Sequence, residues 1–259
     1  MSEPELAAAA PEGEAKPAEE GQKEAPTKKR RHRRKPSKRH VDNRKRVDPD
    51  KTYPLAEAVA LLKQTTNAKF DETVEVAVKL GIDAKQSEQQ IRGTVILPKG
   101  TGKSVRVLVF AEGEKATEAQ QAGADYVGSK DLADKIANEG WHDFEIALAT
   151  PDMMKYVGRL GKVLGPHGKM PSPKAGTLTN DIAQAVMEFK GGKIEYRNDK
   201  QGNLCCPVGK KSFKAEDLVA NLRAVLDHIE SAKPSSSKGN FLRRVTISST
   251  MGPGIRLAL

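Results

Sequence analysis

The chain has 259 residues and a formal net charge of +10, with charged residues making up 30% of it. This length accommodates one large or two ordinary domains, and the positive charge favours a polyanionic partner. No apolar run reaches the roughly 18 residues that a membrane-spanning helix needs, and no charged-then-apolar signal pattern opens the sequence. We therefore expect a soluble intracellular protein that does not contact a membrane.

Residues 1–48 predict a disordered tail that is acidic first and basic afterwards. Up to residue 26 the segment holds seven Glu and two Lys, and a strongly basic run follows over residues 28–46. Almost nothing in it can be buried, which is typical of disorder. We interpret it as an arm that binds RNA phosphates, and a merely solvated tail is the alternative.

Residues 49–100 predict one helix and two strands. Apolar residues recur at helical spacing over 54–66, and Pro54 suits a first helical turn. The segment 72–80 alternates apolar and polar residues, as a half-buried strand does. A second strand is predicted over 93–98.

Residues 101–192 change to strands that alternate with helices. The strands are predicted over 104–110, 125–127 and 144–149. The helices are predicted over 113–122, 129–138, from Thr150 onwards and over 180–190. This order indicates parallel strands in a three-layer α/β domain.

After residue 192 the first pattern returns. Strands are predicted over 193–198, 203–208 and 241–250, and a helix over 213–232. The fold class is therefore an α+β base domain, formed from residues 49–100 and 193–259 at both ends of the chain, with an inserted three-layer α/β domain over 101–192. The inserted domain can move about two short connections, so we predict hinge glycines there: Gly100, Gly102, Gly191 and Gly192.

The run GRLGKVLGPHGKMPSPKAGT at 158–177 is too rich in Gly and Pro for a long helix. It carries four basic residues, but also Leu160, Val163, Leu164 and Met170, so we expect an ordered basic loop that packs against a core. A purely structural interdomain loop is the alternative interpretation.

No catalytic site or cofactor is predicted. The segment Lys99–Ser104 ends in Gly-Lys-Ser, but Leu97 stands where a phosphate-binding loop needs its first glycine, and Ser104 is predicted to open a strand rather than a helix. An NTP-dependent enzyme would need this segment to bind phosphate. The five histidines lack ligand spacing, and Cys205 and Cys206 are predicted to be small residues on opposite faces of a strand, so no metal site is expected.

Two polar segments at strand ends are the better functional candidates: 69–73 before one strand and 248–254 after another. Hydroxyls can bond 2′-OH groups and phosphates, exposed Phe70 or Met251 can stack on a base or sugar, and glycines allow close approach of RNA. An ordinary core position is the alternative for Phe70. The sequence does not establish that the two segments meet.

Motifs along the chain from about Asp48 to Leu257 carry a resemblance. They are AKFDETVE at 68–75, AGADYVG at 122–128, ATPDMM at 149–154, LGPHGKMPSPKAGT at 164–177, EYRNDK at 195–200 and SSTMGPG at 248–254. Together they resemble the L-one family of bacterial large-subunit ribosomal proteins.

The resemblance implies a base domain that binds large-subunit rRNA and a Rossmann-like inserted domain that faces the exit-site tRNA. It implies a cytoplasmic ribosomal protein that forms a mobile stalk among other ribosomal components, helps to release the tRNA, and is able to repress its own operon mRNA. The rRNA-binding residues that it implies are Lys69, Phe70, Glu72, Thr73, Thr250, Met251 and Gly252. A general nucleic-acid chaperone acting through the tail is the alternative function.

Overall fold

A computed structural model describes residues 37–237 and 239–258 of the chain. Its helices are α1 (Lys38–Lys45), α2 (Leu55–Thr65), α3 (Glu114–Gln121), α4 (Lys130–Glu139), α5 (Met154–Val157), α6 (Gly161–Leu164), α7 (Ile182–Gly191) and α8 (Ala215–Ser231). Its strands are β1 (Thr73–Leu80), β2 (Arg92–Ile96), β3 (Val107–Phe110), β4 (Tyr126–Gly128), β5 (Ile146–Ala149), β6 (Lys193–Arg197), β7 (Asn203–Lys210), β8 (Leu242–Ser249) and β9 (Ile255–Arg256). The mixed helix and strand content predicted from the sequence is confirmed.

The largest sheet is antiparallel, with the strand order β7-β1-β8-β9. The alternation read in the sequence buries Val74, Val76, Val78 and Leu80 of β1 on one face. Helices α2 and α8 pack on this sheet. The resulting core cluster, which we call the large core, draws its buried residues from 47–97 and 194–257 and none from 101–192.

A second sheet is parallel, with the strand order β4-β3-β5. One core cluster, with residues of α4, α5 and α6, includes Leu108 and Phe110 of β3. Another, with residues of α3 and α7, includes Val107 and Val109 of the same strand. Helices therefore cover both faces of this sheet, as in a three-layer arrangement.

Strands β2 and β6 pair with each other in a two-stranded antiparallel ladder. The chain passes from the large core to the parallel sheet after β2 and returns at β6. The distribution of the core clusters follows the predicted division at residues 100 and 192. The division into two domains itself stays a prediction, since the described residues fall in one compact unit.

The prediction of disorder over 1–48 is wrong for residues 37–48. Ser37 accepts a hydrogen bond from the His40 amide and caps α1, which is therefore a defined helix. The Asn43 side chain donates to the Thr65 carbonyl at 2.6 Å, and Val47 is buried in the large core. These two contacts hold an otherwise polar helix in place. They do not produce a periodic apolar pattern, so no sign of the helix is visible in the sequence. The earlier part of the tail lies outside the described residues.

Two other boundaries differ from the prediction. The strand predicted over 104–110 begins only at Val107, because the Arg106 amide donates to the Glu145 carboxylate at 2.8 Å instead of to a neighbouring strand. The helix predicted from Thr150 opens as a 3-10 turn, Pro151–Met153, before α5. Strand β9 was not predicted, because two residues show no periodicity.

The basic loop over 158–177 is made of short helical turns and packs as expected. Leu160 and Leu164 are buried, and Val163 and Met170 contact the same cluster. His167 stacks on His142, with 4.8 Å between ring centroids. In β7, Cys205 is exposed and Cys206 is buried, as the alternation predicts, and burial raises the pKa of Cys206 to about 12.

Candidate nucleic-acid interface

The two predicted polar segments meet in space. Strand β1 begins at Thr73, β8 ends at Ser249, and their antiparallel pairing places Val74 opposite Ser249. The start of one strand must then lie beside the end of the other. The Thr250 amide donates to the Thr73 carbonyl at 3.1 Å, and the Thr73 amide donates to the Thr250 hydroxyl at 3.1 Å. We call this surface, residues 69–73 with 248–254, the strand-end site.

Glu72 joins the two segments from beneath. It is 1% exposed, and its carboxylate oxygens accept the amides of Ala68 at 2.9 Å and Met251 at 3.0 Å. Burial acts to raise the pKa of Glu72, but these amides and the charge of Lys211 outweigh it and hold the pKa below its ordinary value. Glu72 was predicted to contact rRNA directly, but its carboxylate is buried and already accepts two backbone amides. We therefore assign it the role of positioning the backbone of the site.

Two large apolar side chains stand out from this surface. Phe70 is 53% exposed and Met251 is 49% exposed. The interpretation of Phe70 as a core aromatic is therefore wrong. Lys69 is also exposed, beside Phe70. An exposed ring and an exposed thioether beside a cation and hydroxyl groups are suited to contact a base or sugar of RNA.

A third strand end completes the site, and sequence reasoning missed it. Lys210, the last residue of β7, pairs with Thr73 and donates to its hydroxyl at 2.7 Å. The next residues tie back to the same segment: the Lys211 amide donates to the Glu72 carbonyl at 2.9 Å, and the Ser212 hydroxyl to the Asp71 carboxylate at 2.8 Å. The strand was predicted to end at residue 208, two residues before Lys210, and only the sheet order brings Lys210 to Thr73.

Gly252 follows Met251 in a tight turn, in which its amide donates to the Ser249 carbonyl at 3.1 Å. A side chain here would place its Cβ 2.4 Å from the buried Ser249 hydroxyl. The position therefore needs glycine, because a side chain has no space beside Ser249.

The predicted hinge glycines lie where the chain crosses between the large core and the parallel sheet. Gly100 and Gly102 have φ of 68° and 70°, and Gly192 has φ of 111°. A Cβ at Gly192 would lie 2.5 Å from the Gly100 Cα, so the two crossings touch backbone to backbone. Gly191 is the last residue of α7 and has open space around it, so it carries no comparable constraint.

Asn221 of α8 holds this crossing and was not identified from the sequence. It is fully buried, accepts the Lys99 amide at 3.0 Å, and donates to the carbonyls of Gly100 at 3.0 Å and Val208 at 2.8 Å. A signal was available, because Asn221 is a polar residue on the apolar face that also carries Leu218, Leu222 and Val225.

The Gly-Lys-Ser segment lacks the helix that a phosphate-binding loop must open. Ser104 lies in an irregular stretch, and no helix begins there. Lys103 lies 3.5 Å from the Glu145 carboxylate. Over 37–237 and 239–258, no group of three His, Cys, Asp or Glu side chains could hold a metal ion, and no helix is long and apolar enough to cross a membrane.

Comparisons with known proteins identify the family of the chain. Residues 62–253 match the model of the "Ribosomal protein L1p/L10e family". The chain is 61% identical over 223 residues to "Large ribosomal subunit protein uL1" of Fervidobacterium nodosum, covering 86% of this chain and 95% of that protein. It is 58% identical over 221 residues to the proteins of the same name from Thermosipho melanesiensis and Thermosipho africanus, each match covering 85% of this chain and 95% of the relative. The family predicted from the motifs is thereby confirmed, and the chain belongs to the ribosomal protein L1p/L10e family.

Proposed function

We propose that this chain is a structural constituent of the large subunit of the cytoplasmic ribosome and binds large-subunit rRNA through the strand-end site. The observation that carries the proposal is the exposure of Phe70 and Met251 on a surface whose backbone is fixed by buried Glu72. Lys69, Thr73, Thr250 and Gly252 supply a charge, hydroxyl groups and close approach around them. The relatives named large ribosomal subunit proteins support a structural rather than a catalytic role.

The finer part of the proposal concerns movement. The bound protein forms a mobile stalk with rRNA and other ribosomal components, and residues 101–192 turn about the crossing at Gly100 and Gly192 to assist release of exit-site tRNA. The close backbone contact at that crossing supports a single pivot. Repression of its own operon mRNA, through an RNA structure that mimics the rRNA site, is a separate proposal that uses the same strand-end site.

Binding of the full chain to a stalk fragment of large-subunit rRNA, with excess tRNA as competitor, tests the proposal. Phe70→Ala should weaken binding about 5- to 150-fold, which corresponds to ~1–3 kcal/mol for a lost stacking contact between a base and an aromatic ring. Met251→Ala should also weaken binding, because it removes an exposed apolar contact from the same surface. Met187→Ala removes a methionine that is 62% exposed on α7 and serves as the matched control.

The melting temperature of each variant separates contact from folding. Exposed side chains contribute little to stability, so neither Phe70→Ala nor Met251→Ala should lower it by more than Met187→Ala does. The proposal fails if Met251→Ala binds like Met187→Ala, or if the loss of affinity follows a loss of stability.

A further inference from the structure

A basic groove lies beside the strand-end site and shares with it only the turn Gly252, Pro253 and Gly254. Its cavity volume is about 360 Å³. One wall is the face of α1 that carries His40 and Arg44, and the other is formed by Arg244 of β8, Arg256 of β9 and the turn at Gly252 and Pro253. We call it the α1 groove.

The wall on α1 is held in place by contacts on its other residues. His40 and Arg44 are four residues apart on α1 and therefore share one face. Buried Val47 anchors the chain two residues beyond the end of α1, while the Asn43 amide donates to the Thr65 carbonyl and the Arg46 guanidinium donates to the Gln64 carbonyl at 3.2 Å. Arg44 is therefore presented from a docked helix rather than from a free chain.

The groove is positive and is not neutralised by the residues that line it. Three arginines and an imidazole line it, and no Asp or Glu does. Among residues 37–237 and 239–258, the ion pairs do not use Arg44, Arg244 or Arg256. A guanidinium without a carboxylate partner is suited to bind phosphate oxygens through two parallel N–H groups.

We propose that the α1 groove binds the sugar-phosphate backbone of the RNA that flanks the nucleotides held at the strand-end site. The argument is charge complementarity together with continuity, because Gly252 belongs to both surfaces. The inference rests on the proposed rRNA binding and adds to it a sequence-independent contact. RNA that leaves the strand-end site past Gly252 enters the groove between Arg44 and Arg244.

The test uses the full chain and two rRNA fragments, one trimmed to the smallest stalk piece that the protein binds and one extended at its ends. The variant Arg44→Gln/Arg244→Gln is compared with the control Arg159→Gln/Arg223→Gln, which removes equal charge from exposed residues outside the groove. On the extended fragment, the groove variant should lower the slope of log affinity against log salt by about 1.4–1.8 units for two lost phosphate contacts. On the trimmed fragment, both variants should bind alike.

The outcomes separate this inference from the proposed function. Equal slopes for the groove variant and its control on the extended fragment overturn the groove but leave rRNA binding intact. If the groove variant lowers the melting temperature but leaves RNA binding unchanged, these arginines make contacts within the chain, and the proposal is also overturned. Failure of the unmodified protein to bind either fragment in the presence of tRNA removes the proposed function and the groove with it.

Discussion

At the scale of single residues, the buried carboxylate of Glu72 fixes the backbone of a surface on which its own side chain is not exposed. Its two oxygens accept amides from Ala68 and Met251, which are far apart in sequence, so the charge fixes the backbone on both sides of the exposed residues. Burial of a carboxylate costs free energy unless the carboxylate is hydrogen-bonded. Here the hydrogen bonds outweigh the cost of burial, and the pKa of Glu72 is lowered as a result.

We expect Glu72→Gln to lower the free energy of unfolding at pH 7 by about 1–3 kcal/mol, because the glutamine oxygen can accept only one of the two amides and the other is left facing an NH2 group that cannot accept it. The folded-state pKa lies below the unfolded value, so the contribution of Glu72 is complete above the unfolded pKa and is lost as pH falls through the folded one. Urea unfolding between pH 7 and pH 3 should therefore show the difference between the two proteins shrinking with acid.

Glu75→Gln is the matched control, because Glu75 lies on β1, which begins directly after Glu72, and its side chain is exposed. It should change stability by no more than about 0.5 kcal/mol. A difference for Glu72→Gln that stays constant from pH 7 to pH 3 would contradict the assigned role of its charge.

At the scale of elements, two adjacent glycines lie where the chain returns from the parallel sheet to the large core, and replacing them by alanine should affect stability in opposite ways. Gly192 has φ of 111° and no room for a Cβ, so Gly192→Ala should destabilise the protein by at least about 2 kcal/mol. Gly191 ends α7 in open space, so Gly191→Ala should be neutral or should stabilise by about 0.5–1 kcal/mol. Chemical unfolding of the two variants measures both effects, and equal values would show that the crossing tolerates displacement.

The elements themselves were largely predictable, because their patterns are local. The alternation at Val74, Val76 and Val78 and the apolar face of α8 give the strand and the helix directly. Helix α1 was missed because it is held by side-chain hydrogen bonds from Asn43 and Arg46 and by one buried valine, and none of these produces periodicity. The helix propensity of a sequence does not include such tertiary contacts.

The candidate site was predictable as two segments but not as one surface. Phe70 and Met251 could be selected by residue type, whereas their proximity depends on the pairing of β1 with β8. The same sheet order brings Lys210 to Thr73. Burial of Glu72 follows from that pairing, which is why its side chain could not be distinguished from an exposed contact beforehand.

At the scale of the whole molecule, the docking of α1 decides where the tail can be removed. A chain of residues 37–259 keeps the anchors of α1, so its melting temperature should equal that of the full chain. A chain of residues 49–259 loses buried Val47 and the Asn43 bond to Thr65, and should be less stable by about 2–3 kcal/mol. Thermal unfolding of the three proteins makes the comparison.

RNA binding by the same three proteins separates the charge of the tail from the folded surface. Deleting residues 1–36 removes nine Lys and Arg residues, so the salt dependence of affinity should flatten while the preference for the rRNA fragment over tRNA remains. An unchanged slope would show that this part of the tail does not contact RNA.

From the backbone contact between Gly100 and Gly192 we also expect that the polypeptide can be divided at this point. The chain leaves the large core and re-enters it at nearly the same point, and no buried residue of that core comes from the stretch between. Excision of residues 101–191 should therefore leave two ends that a short turn can rejoin. The same point would accept a grafted insert of another kind, because any segment whose termini lie close together could begin and end there.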